Sequence, residues 1–201
     1  MEIGKLPNEV LKYLVLDRIR NTRREVLVKP AIGEDCSAID FSQELCVISC
    51  DPITGTDHEI GRIAVHVSCN DIAASGAEPI GIMVTMLIPP GASMESVEKI
   101  MKQLANTAAA NSVDILGGHT EVTDAVTRFV INVTAVGKTI GKNVIKTSGA
   151  KPGDSFILTK TAGLEGTAIL AFENQKELAK KFGSPLVIEG KKLMAQLSVV
   201  K

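Results

Sequence analysis

The run Ile80-Gly81-Ile82-Met83-Val84-Thr85-Met86-Leu87-Ile88 restricts the folds open to this chain more than any other stretch. Pro89-Pro90-Gly91 stops it, so it is too short for a core helix and suits a strand. A strand apolar on both faces needs cover on both. Phe129 to Val136, ended by Gly137, is a second run of this kind. Two segments have helical periodicity. Glu59 to Ser75, stopped by Gly76 and Pro79, places Ile60, Ala64, Val67 and Ala74 on one stripe. Ser96 to Ser112, capped by Ser93, places Val97, Ile100, Met101, Leu104 and Ala108 on another. These helices can cover one face of a sheet. The other face is expected to meet a second copy of the same sheet, as a homodimer through the N-terminal half. The competing arrangement folds the chain after Gly153 over that face.

The remaining elements follow from the same cues. Pro7 to about Arg20 reads as a helix, and Asn21 to Pro30, with Arg23 and Arg24, as a basic mobile loop. Leu45 to Cys50 reads as a buried strand broken by Pro52 and Gly55, which leaves Asp51 at its end. Val113 to Leu116 reads as a short strand closed by a Gly117-Gly118-His119-Thr120-Glu121 loop. A turn at Lys151-Pro152-Gly153-Asp154 divides the chain into residues 1–150 and 151–201. The second part reads as a strand over Ser155 to Thr159 and helices over Gly163 to Phe172, Lys176 to Phe182 and Pro185 to Gln196. The fold class is therefore α/β (α+β): a mixed sheet covered by helices on one face, plus the incomplete start of a second α/β domain.

Aromatic residues are 3% of the chain and Trp is absent, which leaves few stacking surfaces for single-stranded nucleic acid. The net charge of −1 does not suggest a polyanion partner. No apolar run approaches the ~18 residues of a membrane span. Cys36, Cys46, Cys50 and Cys69 lack metal-site spacing and read as free buried thiols in a reducing cytoplasm.

Asp71 falls on the inward stripe of the first helix, where a carboxylate is costly without compensation. It reads either as a buried Asp taking backbone N–H bonds or as a metal ligand. Asp35, Asp51 and Glu121 also stand at strand ends or beside glycines. Four converging acids would repel one another unless cations joined them, and oxygen donors select hard cations such as Mg²⁺. Gly117-Gly118 would allow backbone N–H groups close to a phosphate, although no Walker-type phosphate loop is present. His119 beside them reads as a hydrogen-bond donor in the loop, to a phosphate or an activated oxygen.

The motifs Gly33-Glu34-Asp35-Cys36-Ser37-Ala38-Ile39, Ser49-Cys50-Asp51-Pro52-Ile53-Thr54-Gly55, Asn70-Asp71-Ile72-Ala73-Ala74-Ser75-Gly76-Ala77-Glu78-Pro79 and Gly117-Gly118-His119-Thr120-Glu121 occur in the order found in the aminoimidazole ribonucleotide (AIR) synthase superfamily. The chain resembles these PurM-like proteins, and most of all the branch related to the hydrogenase maturation factor HypE. The likeness extends through Thr147-Ser148-Gly149-Ala150-Lys151-Pro152-Gly153-Asp154. It implies an ATP- and Mg²⁺-dependent enzyme that activates a substrate oxygen by phosphoryl transfer, on a small molecule or a protein tail. It also implies a barrel shared between two subunits. Asp35, Asp51, Asp71 and Glu121 would hold Mg²⁺ and the phosphates. Asn70, Gly117, Gly118 and Thr120 would line the nucleotide site, with Asp71 and His119 closest to the chemistry. The usual Asp-Asp of the first motif is Glu34-Asp35 here. Relatives carry a complete second domain, whereas this chain stops soon after that domain begins. The alternative expectation is a nucleotide-binding or dimerisation module without turnover.

Overall fold

The structure, a computed structural model, describes residues 36–200 together with 7–9, 12, 16, 26–28 and 31–34. Six strands form one mixed sheet in the order β1-β2-β3-β6-β4-β5. They are β1 Val26–Val28, β2 Cys36–Asp40, β3 Leu45–Ile53, β4 Glu78–Ile88, β5 Asp114–Val122 and β6 Val130–Lys138. All neighbours are antiparallel except β4 and β5, which run parallel. The β4–β5 connection carries a helix, as a parallel pair requires. Five α-helices lie wholly among the described residues: α1 Ile60–Ala74, α2 Met94–Ala110, α3 Leu164–Glu173, α4 Gln175–Phe182 and α5 Ser184–Lys192.

α1 and α2 lie together on one face of the sheet. Ile82, Val84, Met86, Ile131, Val133, Ala135 and Val47 point towards them and make the core with Ile60, Ala64, Val65, Cys69, Ile72 and Leu104. Two glycines set the closeness of this packing. A Cβ on Gly61 would stand 2.7 Å from the Ile100 carbonyl of α2, and one on Gly137 would stand 2.3 Å from Ile72 of α1. Ser93 caps α2 as expected, accepting a hydrogen bond from the Ser96 N–H at 3.1 Å.

The opposite face of the sheet carries no helix among the described residues. Met83 is 50% exposed there and Ile80 43%. The chain after Gly153 does not cover that face. α3 and the final turn pack instead on the far side of α1, where Ile63 is buried with Ala168, Met194 and Leu197, and Val67 lies against them. Polar ties reinforce this docking. Thr56 donates to Glu173 Oε1 at 2.5 Å, and His58 stacks on Phe172.

Several expected boundaries are corrected. α1 is enclosed on two sides, so its buried face is Ile60, Ile63, Ala64, Val65, Cys69 and Ile72, while Val67 is half-buried and Ala74 exposed. Met101 of α2 is 40% exposed and not in the core. β3 does not stop at Cys50 but continues through Asp51 and Pro52 to Ile53. β2 reaches only as far as Ser49, so β3 has a single neighbour at Pro52 and tolerates it. β5 runs straight through Gly117-Gly118-His119-Thr120-Glu121, which is an edge strand and not a loop. Ser155 to Thr159 forms no strand: Phe156, Ile157 and Leu158 are exposed and no described strand pairs with them. Within the expected basic loop, Val26–Val28 is strand β1. The rest of that loop and most of the expected Pro7–Arg20 helix lie outside the described residues, among which Asn8, Glu9 and Lys12 are helical. Of the four thiols Cys69 is buried, Cys36 and Cys46 are half-buried, and Cys50 is exposed.

Candidate active site

Two of the predicted acids meet at one buried serine. Ser49 on β3 is 2% exposed. Its hydroxyl donates to Asp71 Oδ2 at 2.9 Å and also lies 3.3 Å from Asp51 Oδ2. One hydroxyl hydrogen is shared between two carboxylates, which brings Asp51 and Asp71 to the same side chain. β3 supplies Ser49 and Asp51, two residues apart and therefore on one face of the strand, and the last turn of α1 supplies Asp71. The negative charge of Asp71 is felt nearby: burial first, and then Asp71, push the Cys69 thiol up to about 11.

Beside the pair is a small cavity of about 140 Å³, lined by Glu34, Cys36, Asp71, Ser75, Lys146 and Thr147 among others. Glu34 is held in place by the Thr147 hydroxyl at 2.8 Å. Thr147 opens a short 3₁₀ turn, Thr147–Gly149. The segment before it is anchored by the Ile145 N–H, which donates to the Ser75 carbonyl at 2.8 Å. Lys146 is the one cation among the described lining residues. Sequence reasoning did not single out Ser49 or Lys146. Lys146 stands directly before the Thr147-to-Asp154 motif, and that position was the available signal.

The other predicted residues lie elsewhere. Asp35 falls outside the described residues. Glu121 is on edge strand β5, where it pairs with His119 Nε2 at 3.3 Å, both side chains being about half exposed or more. From β3 to β5 is three strand steps, about 14 Å at ordinary strand spacing. Within one chain Glu121 therefore does not join Asp51 and Asp71, and no group of three or more His, Cys, Asp or Glu among the described residues is placed to hold a metal. Thr120 sits on β5 opposite Met86. Asn70 faces away from Asp71: its amide donates to the Leu197 carbonyl at 2.9 Å and accepts from the Val199 N–H at 2.8 Å. Successive helical residues are ~100° apart, which lets Asp71 face the site while Asn70 pins the C-terminal segment.

The double glycine has a structural requirement. Gly117 and Gly118 have φ of 144° and 151°, a region that side chains avoid. A Cβ on Gly118 would lie 1.8 Å from the Val84 carbonyl oxygen of β4, whereas nothing lies within 4 Å of one on Gly117.

The donors at the Ser49 cluster are carboxylate and hydroxyl oxygens. This set fits a hard divalent cation such as Mg²⁺ and not a soft metal.

Comparison with known proteins gives a consistent family. The profile described as "AIR synthase related protein, N-terminal domain" matches residues 33–139. A hydrogenase expression/formation protein of Methanocaldococcus jannaschii is 30% identical over 83% of this chain and 51% of its own length. Carbamoyl dehydratase HypE of Cupriavidus necator is 31% identical over 56% of this chain and 33% of its own length. The chain thus spans about half, or less, of these relatives. The solved structure of AaThiL complexed with AMPPCP and TMP superimposes with a TM-score of 0.72 at 18% identity, covering 99% of this chain and 64% of that one, which shows a shared fold.

Proposed function

The chain belongs to the AIR synthase-related family, and from that premise we propose that it binds ATP with Mg²⁺ at the Asp51–Asp71 pair and takes part in activating a substrate oxygen by phosphoryl transfer, in the manner of the HypE-related branch. The carrying observation is the convergence of Asp51 and Asp71 on the Ser49 hydroxyl, at 3.3 and 2.9 Å, beside the cavity lined by Glu34 and Lys146. Bound Mg²⁺ would neutralise the phosphate charge that phosphoryl transfer must spread. Asp51 and Asp71 would hold it, with Asp35 as a third ligand by resemblance. Ser49 keeps the two carboxylates in register, and Lys146 offers a positive charge to a phosphate oxygen.

A cavity of about 140 Å³ accommodates the metal–phosphate end of a nucleotide and not the whole molecule. Glu121, His119, Thr120 and the double glycine are too distant to complete it within one chain. A two-fold copy docked on the open sheet face is the proposed source of a second β5, and the complete site is then shared between two subunits. The acceptor is a small molecule or a protein tail. One further reading is a nucleotide-binding and dimerisation module without turnover, favoured by the meeting of only two of the expected acids among the described residues.

Calorimetric titration with ATP in the presence and absence of Mg²⁺ tests the binding. Wild type should bind Mg-ATP, and Asp71→Asn, which keeps shape but loses charge, should bind it at least about tenfold more weakly. Equal affinities would remove Asp71 from the site. Single-turnover ATP hydrolysis then distinguishes an enzyme from a binding module.

A further inference from the structure

A second cleft lies on the other side of α1, between that helix, α2 and the C-terminal segment. Its volume is about 360 Å³, and Arg62, His66, Asn106, Thr107, Asn111 and Ser198 line it. His66 and Asp71 are five residues apart on one helix, which turns them ~140° away from each other, so this cleft is separate from the acid pair. Its chemistry is also opposite, since no carboxylate lines it among the described residues.

His66 is 8% exposed and its Nδ1 is buried without a hydrogen-bond partner among the described residues. With Nδ1 enclosed, Nε2 is the ring nitrogen left to face the cleft. A proton placed there makes His66 a neutral donor. Burial first, and then the positive charges of Arg62 and Lys160, hold its pKa down to about 4. The ring therefore senses a positive field while staying uncharged. Arg62 uses Nε on Glu59 at 3.3 Å, and among the described residues its terminal amines remain for another acceptor. Ser198 is fixed by its bond to Asn111 Oδ1 at 2.7 Å, and Lys160 clamps the same segment through the Gln196 carbonyl at 2.5 Å and the Ser198 carbonyl.

We propose that the cleft between Arg62, His66, Asn106 and Ser198 binds a small oxyanion, as a phosphate- or carboxylate-bearing small molecule. The guanidinium supplies charge, the imidazole Nε2–H and the Asn106 amide supply neutral donors, and the ligand ties the C-terminal segment to α1 and α2.

Side-chain ¹⁵N spectra of the three histidines, recorded during titration with inorganic phosphate and separately with succinate, test this against sodium chloride at matched ionic strength. The His66 signals should shift saturably with at least one of the two anions, and the one that saturates identifies the ligand class. The melting temperature should rise with it, as for any ligand of the folded state. Arg62→Gln, at a half-exposed position, should weaken binding about tenfold, the loss of one charge-assisted contact. Asn106→Ala is a second variant that should also weaken it. Asp71→Asn should leave it unchanged, which keeps this test independent of the acid pair. Absence of a saturable His66 shift with either anion overturns the proposal, as does equal affinity in Arg62→Gln and Asn106→Ala.

Discussion

Gly118→Ala should damage the sheet itself, well beyond the loss of a flexible residue. An alanine there faces two separate costs. Its φ of 151° lies in a region where a side chain costs about 1–3 kcal/mol. Its Cβ would also sit 1.8 Å from the Val84 carbonyl oxygen, so β5 must retreat from β4 by more than an ångström. That retreat weakens the ladder bonds on either side of the Val84–Gly118 pairing, each with a net value of about 0.5–1.5 kcal/mol. With two such bonds lost, the total is about 2–6 kcal/mol, a large part of the stability of an ordinary domain. Gly117→Ala is the internal control. It has a similar φ, 144°, but open space where its Cβ would go, so it bears the conformational cost alone, about 1–3 kcal/mol. Urea unfolding gives the two midpoints, and hydrogen exchange at Ile115, His119 and Glu121 shows whether β5 detaches locally. The expected order is wild type, then Gly117→Ala, then Gly118→Ala, with β5 protection lost in the last. If Gly118→Ala unfolds at the same urea concentration as Gly117→Ala and keeps β5 protected, the steric reasoning is wrong. If both keep full stability and lose only nucleotide affinity, the glycines serve phosphate approach alone.

Three further outcomes follow from named contacts. The pKa of His66 is about 4 in the fold against an ordinary 6.5, so the unfolded chain takes up its proton first; stability is full above about pH 6.5 and falls by up to ~3 kcal/mol as pH drops to about 4, and His66→Gln should flatten that slope in denaturation curves. Met83→Glu, at a position 50% exposed on the open sheet face, should make the chain monomeric in sedimentation equilibrium, because a dimer would bury an unpaired charge; a dimer persisting at micromolar concentration would move the interface elsewhere. Asn70→Ala removes both bonds to the 197–199 segment and should raise hydrogen exchange at Val199 and Val200 while leaving β4 protected; unchanged exchange would show that Lys160 and Ser198 hold the segment without it.

Periodicity made the helix layer and the long strands legible, because Ile80 to Ile88 and Phe129 to Val136 can be little else between their stops. Element ends were less legible, since a partner strand decides them. Pro52 looks like a terminator until β2 is seen to end before it, and Gly117-Gly118 looks like a loop until β4 is seen to take the space of a Cβ. The stripe on α1 was misplaced for a related reason: a helix covered by a sheet on one side and by α3 on the other buries two faces, and a one-face pattern search merges them. Ser155 to Thr159 has strand composition but no described strand to pair with, and it forms none.

At the site, the acids Asp51 and Asp71 were readable because carboxylates at strand ends and on packed faces need an explanation. Ser49 was not, because a serine in a strand carries no signal until its hydroxyl is found between two carboxylates. Glu121 marks the limit of what one chain can reveal. Its place beside the double glycine and the resemblance both group it with the other acids, yet β6 and β4 lie between its strand and β3. The same sheet leaves Met83 and Ile80 open on the face that neither the helices nor the C-terminal segment covers. A single docking event would remedy both, burying the open face and supplying the distant Glu121 from a neighbour. Monomeric Met83→Glu should therefore also lose affinity for Mg-ATP, although residue 83 is not among those at the acid pair. A monomer that bound Mg-ATP with wild-type affinity would show that Asp51, Asp71 and their own chain suffice.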